Sequence, residues 1–256
     1  MFHPGERGNL PHPGEARVFQ GVSRDTLLVV CIVVPRGGGA RRHRVGCPPM
    51  AILGTTLVRC PACDRETECS LVQSINTRSE PATKAKLLAG ELNVLACACG
   101  RRSQLAVTVL FHDPDAEYWC QVCPGGDPAM AEGAAAFRVA GASGTQRLVP
   151  SLHALVEKVK LLDAGLEDWA IEMAKVLLLA SREDRDLERV LLFDHVDGNT
   201  IRWVLFEPDG AREMASPLGA YTKLVARTQA RPARRELQID RAWAIDAVRA
   251  MIADAN

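Results

Sequence analysis

Three features that commonly reveal a function are scarce or missing here. Aromatic residues make up only 5% of the 256 positions, and 31 basic side chains are offset by 31 acidic ones. A protein that grips nucleic acid through a broad basic face needs clustered Lys and Arg, so the balance speaks against that class for the chain as a whole. No apolar run approaches the roughly 20 residues of a membrane-spanning helix. The sequence has no Gly-rich phosphate loop, no nucleophile elbow and no His-Glu zinc-peptidase spacing, and so lacks the usual basis for hydrolytic or phosphoryl-transfer chemistry. What stands out against these absences is nine cysteines.

The charge balance conceals an uneven distribution. Residues 1–49 hold seven Arg and three acidic residues, together with eight of the 20 Gly and six of the 15 Pro. Such a composition cannot bury enough apolar surface to offset its ordering entropy, so 1–49 reads as a disordered basic tail, with Met50 as a candidate translation start. Its apolar stretch, Thr26 to Val34, is followed by Arg36, Arg41, Arg42 and Arg44 where a signal peptide would place small uncharged residues. Without an export signal the compartment expected is the cytoplasm. Thiols stay reduced there, and paired cysteines read as metal ligands or redox pairs before disulfides.

From Met50 onward the pattern predicts an α+β chain. Residues 50–124 read as a small antiparallel β unit with an inserted short helix: strands over 51–59 and 68–77, a helix over 81–89 introduced by Ser79, and strands over 92–96, 104–111 and 117–122. The Gly/Ala-rich segment 125–146 reads as a linker. Residues 147–256 come next as a helical hairpin, a β-hairpin about Asp197-Gly198-Asn199, and a C-terminal helix capped by Asp240. Ser151 caps the first helix of the pair, whose apolar stripe is Leu152, Leu155, Val156, Val159 and Leu162. Asp168, Glu172 and Lys175 sit close together on the second and read as a solvated charged face.

The chemistry lies in the cysteine corners. Cys60-Pro-Ala-Cys63 places two sulfurs on one side of a tight turn whose backbone N–H groups can stabilise thiolates. Cys97 and Cys99, two residues apart on an extended segment, project to one face. Two such pairs brought together by the fold make a tetrahedral thiolate site for zinc, with buried hydrophobe-like thiols as the alternative. Cys120-Gln-Val-Cys123 supplies a reserve ligand or, alternatively, a redox pair. Cys69 reads as a core or surface thiol and His112 as a turn residue.

The run VRCPACDRETECSLVQSINTRSEP, then LLAGELNVLACACG and VTVLFHDPD, resembles the CpXC domain family, which is named for two Cys-Pro-x-Cys motifs separated by a helical insertion. The likeness covers roughly residues 54–124, and GLEDWAIEMAK is similar to the segment after the domain in longer members. It implies a zinc-ribbon-like unit that binds metal, with no established activity. Cys60 and Cys63 match the first motif. In the second, Cys99 matches the last cysteine, Ala96 stands where the first should be, and Cys97 takes the place of the proline. The fourth ligand is therefore Cys97, or else Cys120 or Cys123.

The function expected is a non-catalytic binding or adapter module with a structural Zn2+ site and a protein partner. The competing readings are thiol redox chemistry at Cys120 and Cys123, and nucleic-acid binding by a zinc ribbon. Residues 50–130 carry seven basic and nine acidic side chains, too little positive charge to anchor a duplex.

Overall fold

A computed structural model describes residues 18–20, 29–31, 53–228 and 232–254. Within the tail read as disordered, β1 (Val18–Gln20) pairs antiparallel with β2 (Val29–Cys31). The rest of that tail, including the candidate start at Met50, lies outside the described residues.

The chain is a mixed α+β protein with six helices among the described residues. A ribbon of β3 (Leu53–Arg59) and β4 (Glu66–Val72) ends in the first cysteine corner. Alternation sets its faces: Val58, Cys69 and Leu71 are buried, while Leu57 and Arg59 face outward. The expected strand over 68–77 splits at Gln73. β5 (Ser74–Asn76) leaves the ribbon and pairs parallel with a later strand, so the β unit is not purely antiparallel. Helix α1 (Pro81–Leu88) starts with Glu80, not Ser79, at the N-cap, and Pro81 fills the first turn where no N–H is needed. A second short ribbon, β6 (Val94–Ala96) with β7 (Arg102–Gln104), carries the other corner.

The expected strand over 104–111 also breaks, at Leu105–Thr108. Its second part, β8 (Val109–Asp113), pairs antiparallel with β9 (Tyr118–Val122). The central sheet runs β10-β9-β8-β5, where β10 (Thr145–Val149) lies parallel to β9. The sheet thus continues past residue 124, and its inner face shares one core with α1 and with α3 (Leu152–Asp163). Ser151 caps α3, its hydroxyl accepting from Ala154 N at 3.2 Å.

The segment 125–146, read as a linker, contains the 14-residue helix α2 (Asp127–Ala140) on the outer face of this sheet. Its Gly and Ala residues serve close packing. A Cβ on Gly133 would meet Cys123 Sγ at 2.9 Å and Leu148 Cδ2 at 3.0 Å. At the entry to β10, a Cβ on Gly144 would lie 2.0 Å from the Glu117 carbonyl oxygen, and the positive φ there suits glycine as well. Asp127-Pro128 at the start and Gly141 at the end were the legible signals for this helix.

Helix α4 (Asp168–Ala180) follows α3 and joins two further cores. With α3 it covers β11 (Val190–Asp197) and β12 (Thr200–Glu207), and the expected hairpin gains a third strand, β13 (Gly210–Pro217). On its other side it packs on α5 (Leu218–Arg227), which the pattern reading missed, and on α6 (Arg241–Ala253). Asp240 caps α6 by accepting from Trp243 N at 3.0 Å.

The charges read as a solvated face are buried. Arg147 forks onto Asp168 through Nε (2.7 Å to Oδ2) and Nη2 (3.0 Å to Oδ1). Lys158 donates to Asp168 at 3.0 Å and to the Ile239 carbonyl at 3.0 Å. Lys175 donates to Glu157 at 2.8 Å and Glu172 at 3.0 Å, and Glu157 accepts from Phe193 N at 2.6 Å. Spacing along α4 gave the right cluster on the wrong side of the helix, because the partners come from β10 and α3. The ladder has three cations and three carboxylates. It spans the central sheet, α3, α4 and β11, and so ties the two sheets together.

Past α5, residues 234–239 cover the free edge of β10: Gln146 N donates to Arg234 O at 2.8 Å and Leu148 N to Leu237 O at 2.7 Å. This removes an exposed strand edge from the central sheet.

Candidate metal centre

Both cysteine corners are built the same way. In the first, Cys60 directly follows β3, its N–H donates to Arg65 O at 2.9 Å, and its carbonyl accepts from Asp64 N at 2.8 Å. In the second, Cys97 directly follows β6, its N–H donates to Arg101 O at 2.9 Å, and its carbonyl accepts from Gly100 N at 2.9 Å. The second loop is one residue shorter, which is why its cysteines stand two apart instead of three. Leu95 is buried, Ala96 exposed and Cys97 buried. By this alternation a cysteine at 96 would face away from the cluster, whereas Cys97 occupies the same place as Cys60.

Asn93, which spacing arguments passed over as a ligand-positioning residue, brings the two corners together. Its side chain accepts from Val72 N at 2.7 Å and donates to Val72 O at 2.9 Å. It thereby pairs with the end of β4 as a neighbouring strand would. Asn93 is buried at positive φ, a conformation asparagine tolerates. Val58, Leu71, Leu92 and Leu95 pack in the core around this junction.

The result is a compact set of donors. The sulfurs of Cys60, Cys63, Cys97 and Cys99 all lie within 4.8 Å of one another. Cys60 and Cys99 are 3.6 Å apart, and Cys63 and Cys97 are 3.5 Å apart. A zinc–sulfur bond of about 2.3 Å in a tetrahedron requires sulfurs about 3.8 Å apart, so the spacing suits a metal and is far too long for disulfides. Each corner contributes one buried and one exposed sulfur. The buried pair anchors the cluster in the core, and the exposed pair leaves it open for loading.

The thiols are electrostatically interdependent. The backbone N–H of Cys99 stabilises the Cys97 thiolate and, with donation from the other three cysteines, lowers its pKa to about 6 despite burial. Cys63 moves the other way, to about 12: the Arg65 N–H favours its thiolate, but the neighbouring sulfurs of Cys97, Cys99 and Cys60 outweigh that. Within this pair, ionisation of Cys97 is favoured and that of Cys63 is resisted. A bound dication would remove the resistance.

The remaining candidates are not part of the set. Cys120 points into the inner core of the central sheet, and Cys123 lies under α2 on the opposite face. Burial pushes the Cys120 thiol up to about 12 and also raises that of Cys123, so neither is a ready thiolate. Cys69 is a core thiol whose sulfur lies 3.7 Å from the Thr67 carbonyl. His112 is in β8 instead of a turn, stacked on Trp119 with ring centroids 3.4 Å apart.

Two strand-end corners that present four sulfurs to one point make a cysteine cluster that could hold a metal ion. The family model described as CpXC protein matches residues 58–175, and over those residues the chain is a member of the CpXC family. The match runs beyond the corners through β10 and α3 into α4, and so includes all six charged side chains of the buried ladder, though not the Phe193 N–H and Ile239 carbonyl bonded to them. No curated protein and no solved structure matches the chain. Among the described residues, no helix is long and apolar enough to cross a membrane.

Proposed function

We propose that Cys60, Cys63, Cys97 and Cys99 bind one structural zinc ion, and that the protein is a non-catalytic cytoplasmic module whose partner is another protein. The observation that carries the zinc reading is the convergence of four sulfurs within 4.8 Å. Soft thiolate donors in that number select zinc over hard oxygen-seeking cations. Zinc in such a shell supplies folding energy, and four protein ligands leave no open position for a substrate water. The small excess of acidic over basic residues around the corners favours a protein partner over nucleic acid. Val190 and Phe206, paired across β11 and β12 and each 47% exposed, give the second sheet an apolar contact point. The redox alternative lacks support, since Cys120 and Cys123 face opposite sides of one sheet.

Elemental analysis tests the site. Protein purified without chelator is expected to carry one zinc per chain, to lose it in Cys60→Ser and Cys97→Ser, and to keep it in Cys120→Ser. Metal-free native protein, or loss only in Cys120→Ser, would overturn the assignment. Fluorescence anisotropy with duplex DNA at about 0.15 M salt separates the partner classes. Saturable binding there would count against a protein partner.

A further inference from the structure

A cavity of about 310 Å³ lies away from the cysteines, between the β9–β10 end of the central sheet, the C-terminal part of α3, the start of α4 and residues 232–234. Its volume falls at the lower end of the range of small-molecule sites. Tyr118, Arg147, Lys158 and Asp168 give it a polar floor, and side chains such as Leu162 and Leu166 give it an apolar wall.

Hydrogen-bond accounting shows what the floor lacks. Both Asp168 oxygens are taken, Oδ2 by Arg147 and Lys158 and Oδ1 by Arg147. Arg147 Nη1 is committed to the carbonyls of Gln146, Arg234 and Glu236 at 2.9, 3.1 and 2.9 Å. Arg147 Nη2 makes one bond, to Asp168, and has a second N–H to give. The Tyr118 hydroxyl is buried with no nitrogen or oxygen partner. Its polar neighbour is the Cys120 thiol, a weak partner, and Arg147 and Asp168 are close enough to act on it electrostatically. The floor therefore keeps donors to spare in the Tyr118 hydroxyl and Arg147 Nη2. Three cations (Arg147, Lys158 and Arg234) and two carboxylates (Asp168 and Glu167) line the cavity, an excess of one positive charge, while Glu157 and Glu172 around Lys175 do not line it.

We propose that this cavity binds a small carboxylate with an apolar body, its oxygens accepting from the Tyr118 hydroxyl and the Arg147 guanidinium while the body lies against Leu162 and Leu166. Water alone could satisfy the two donors but would gain nothing from the apolar wall.

The test is calorimetric titration of the full chain with benzoate, benzyl alcohol and inorganic phosphate. Benzoate is expected to saturate a single site in the millimolar range or tighter, with benzyl alcohol and phosphate each roughly tenfold weaker or worse. Tyr118→Phe, which keeps the ring and deletes the donor, is expected to weaken benzoate roughly three- to tenfold. Leu162→Trp fills the cavity and is expected to abolish binding. Circular dichroism and the metal content, both unchanged in Tyr118→Phe, certify the fold. Absence of saturable benzoate binding, equal binding of benzyl alcohol or phosphate, or full affinity in Tyr118→Phe would each overturn the proposal.

Discussion

The cysteine cluster and the buried charge ladder gather reactive groups in opposite ways. The cluster brings together four groups of the same kind, each of which becomes negative when it loses its proton, and at Cys97 and Cys63 the neighbouring sulfurs favour one thiolate and oppose the other. On the zinc reading proposed above, a cation from outside completes it. The ladder brings together three cations and three carboxylates and closes its own balance. The difference is thermodynamic. Stability at the cluster depends on metal activity and on pH through the thiols, whereas stability at the ladder is intrinsic and sensitive mainly to loss of a member.

Removing the metal should break the comparison most sharply. Structural zinc contributes on the order of 10 kcal/mol to small domains, so a chelator is expected to abolish amide-exchange protection in β3, β4, β6 and β7 while β11 to β13 stay protected. Uniform loss across both sheets would show that the regions are not separable.

Lys175→Met attacks the other side. It leaves Glu157 and Glu172 buried without their shared cation, a change worth about 3–5 kcal/mol. Denaturant unfolding should report that loss with metal content unchanged.

Acid distinguishes the two by the pH range in which stability is lost, which for the ladder lies well below that of the thiols. Burial alone would raise the Asp168 carboxyl, but Lys158 and Arg147 more than reverse that and lower it to about 2. A carboxylate with a depressed folded pKa contributes stability that is present above its unfolded value near 3.8 and lost as the pH falls through about 2. The ladder should thus lose about 2 kcal/mol between roughly pH 4 and pH 2. In Asp168→Asn that component of the pH dependence of unfolding should vanish.

The smallest expected effect is at Asn93. Asn93→Ala deletes two side-chain bonds to Val72 and is expected to cost about 1–2 kcal/mol. Because those bonds align the corners, zinc affinity measured by chelator competition should fall while the ladder, read by the acid transition, stays unchanged.

How much of this was legible in one dimension depended on where the partners lie. Cys60 and Cys63 were plain because both sulfurs sit in one turn, as were the Ser151 and Asp240 caps, whose N–H donors lie three residues on. Helix α2 was missed because its composition was taken for flexibility, when small residues were needed for contact with Cys123 and Leu148. The breaks at Gln73 and Leu105–Thr108 were not legible, since whether an extended segment is one strand or two depends on which neighbours it bonds. The ladder was misread for the same reason: Asp168, Glu172 and Lys175 share a face at helical spacing, and Arg147, Glu157 and Lys158 reach that face only in the folded chain.

By itself, the sequence determined that the chain mixes helices and strands, that its chemistry resides in cysteine pairs, and that Cys60 and Cys63 form a corner, because these depend on contacts within a few residues. Only the tertiary structure decided that the Cys97 sulfur lies beside those of Cys60, Cys63 and Cys99 while Cys120 and Cys123 lie elsewhere, that the charged stripe of α4 faces inward, and that a polar-floored cavity lies beside it. Each of these depends on groups distant along the chain being placed within a few ångströms, which requires the register of the strands and the packing of α3 against both sheets.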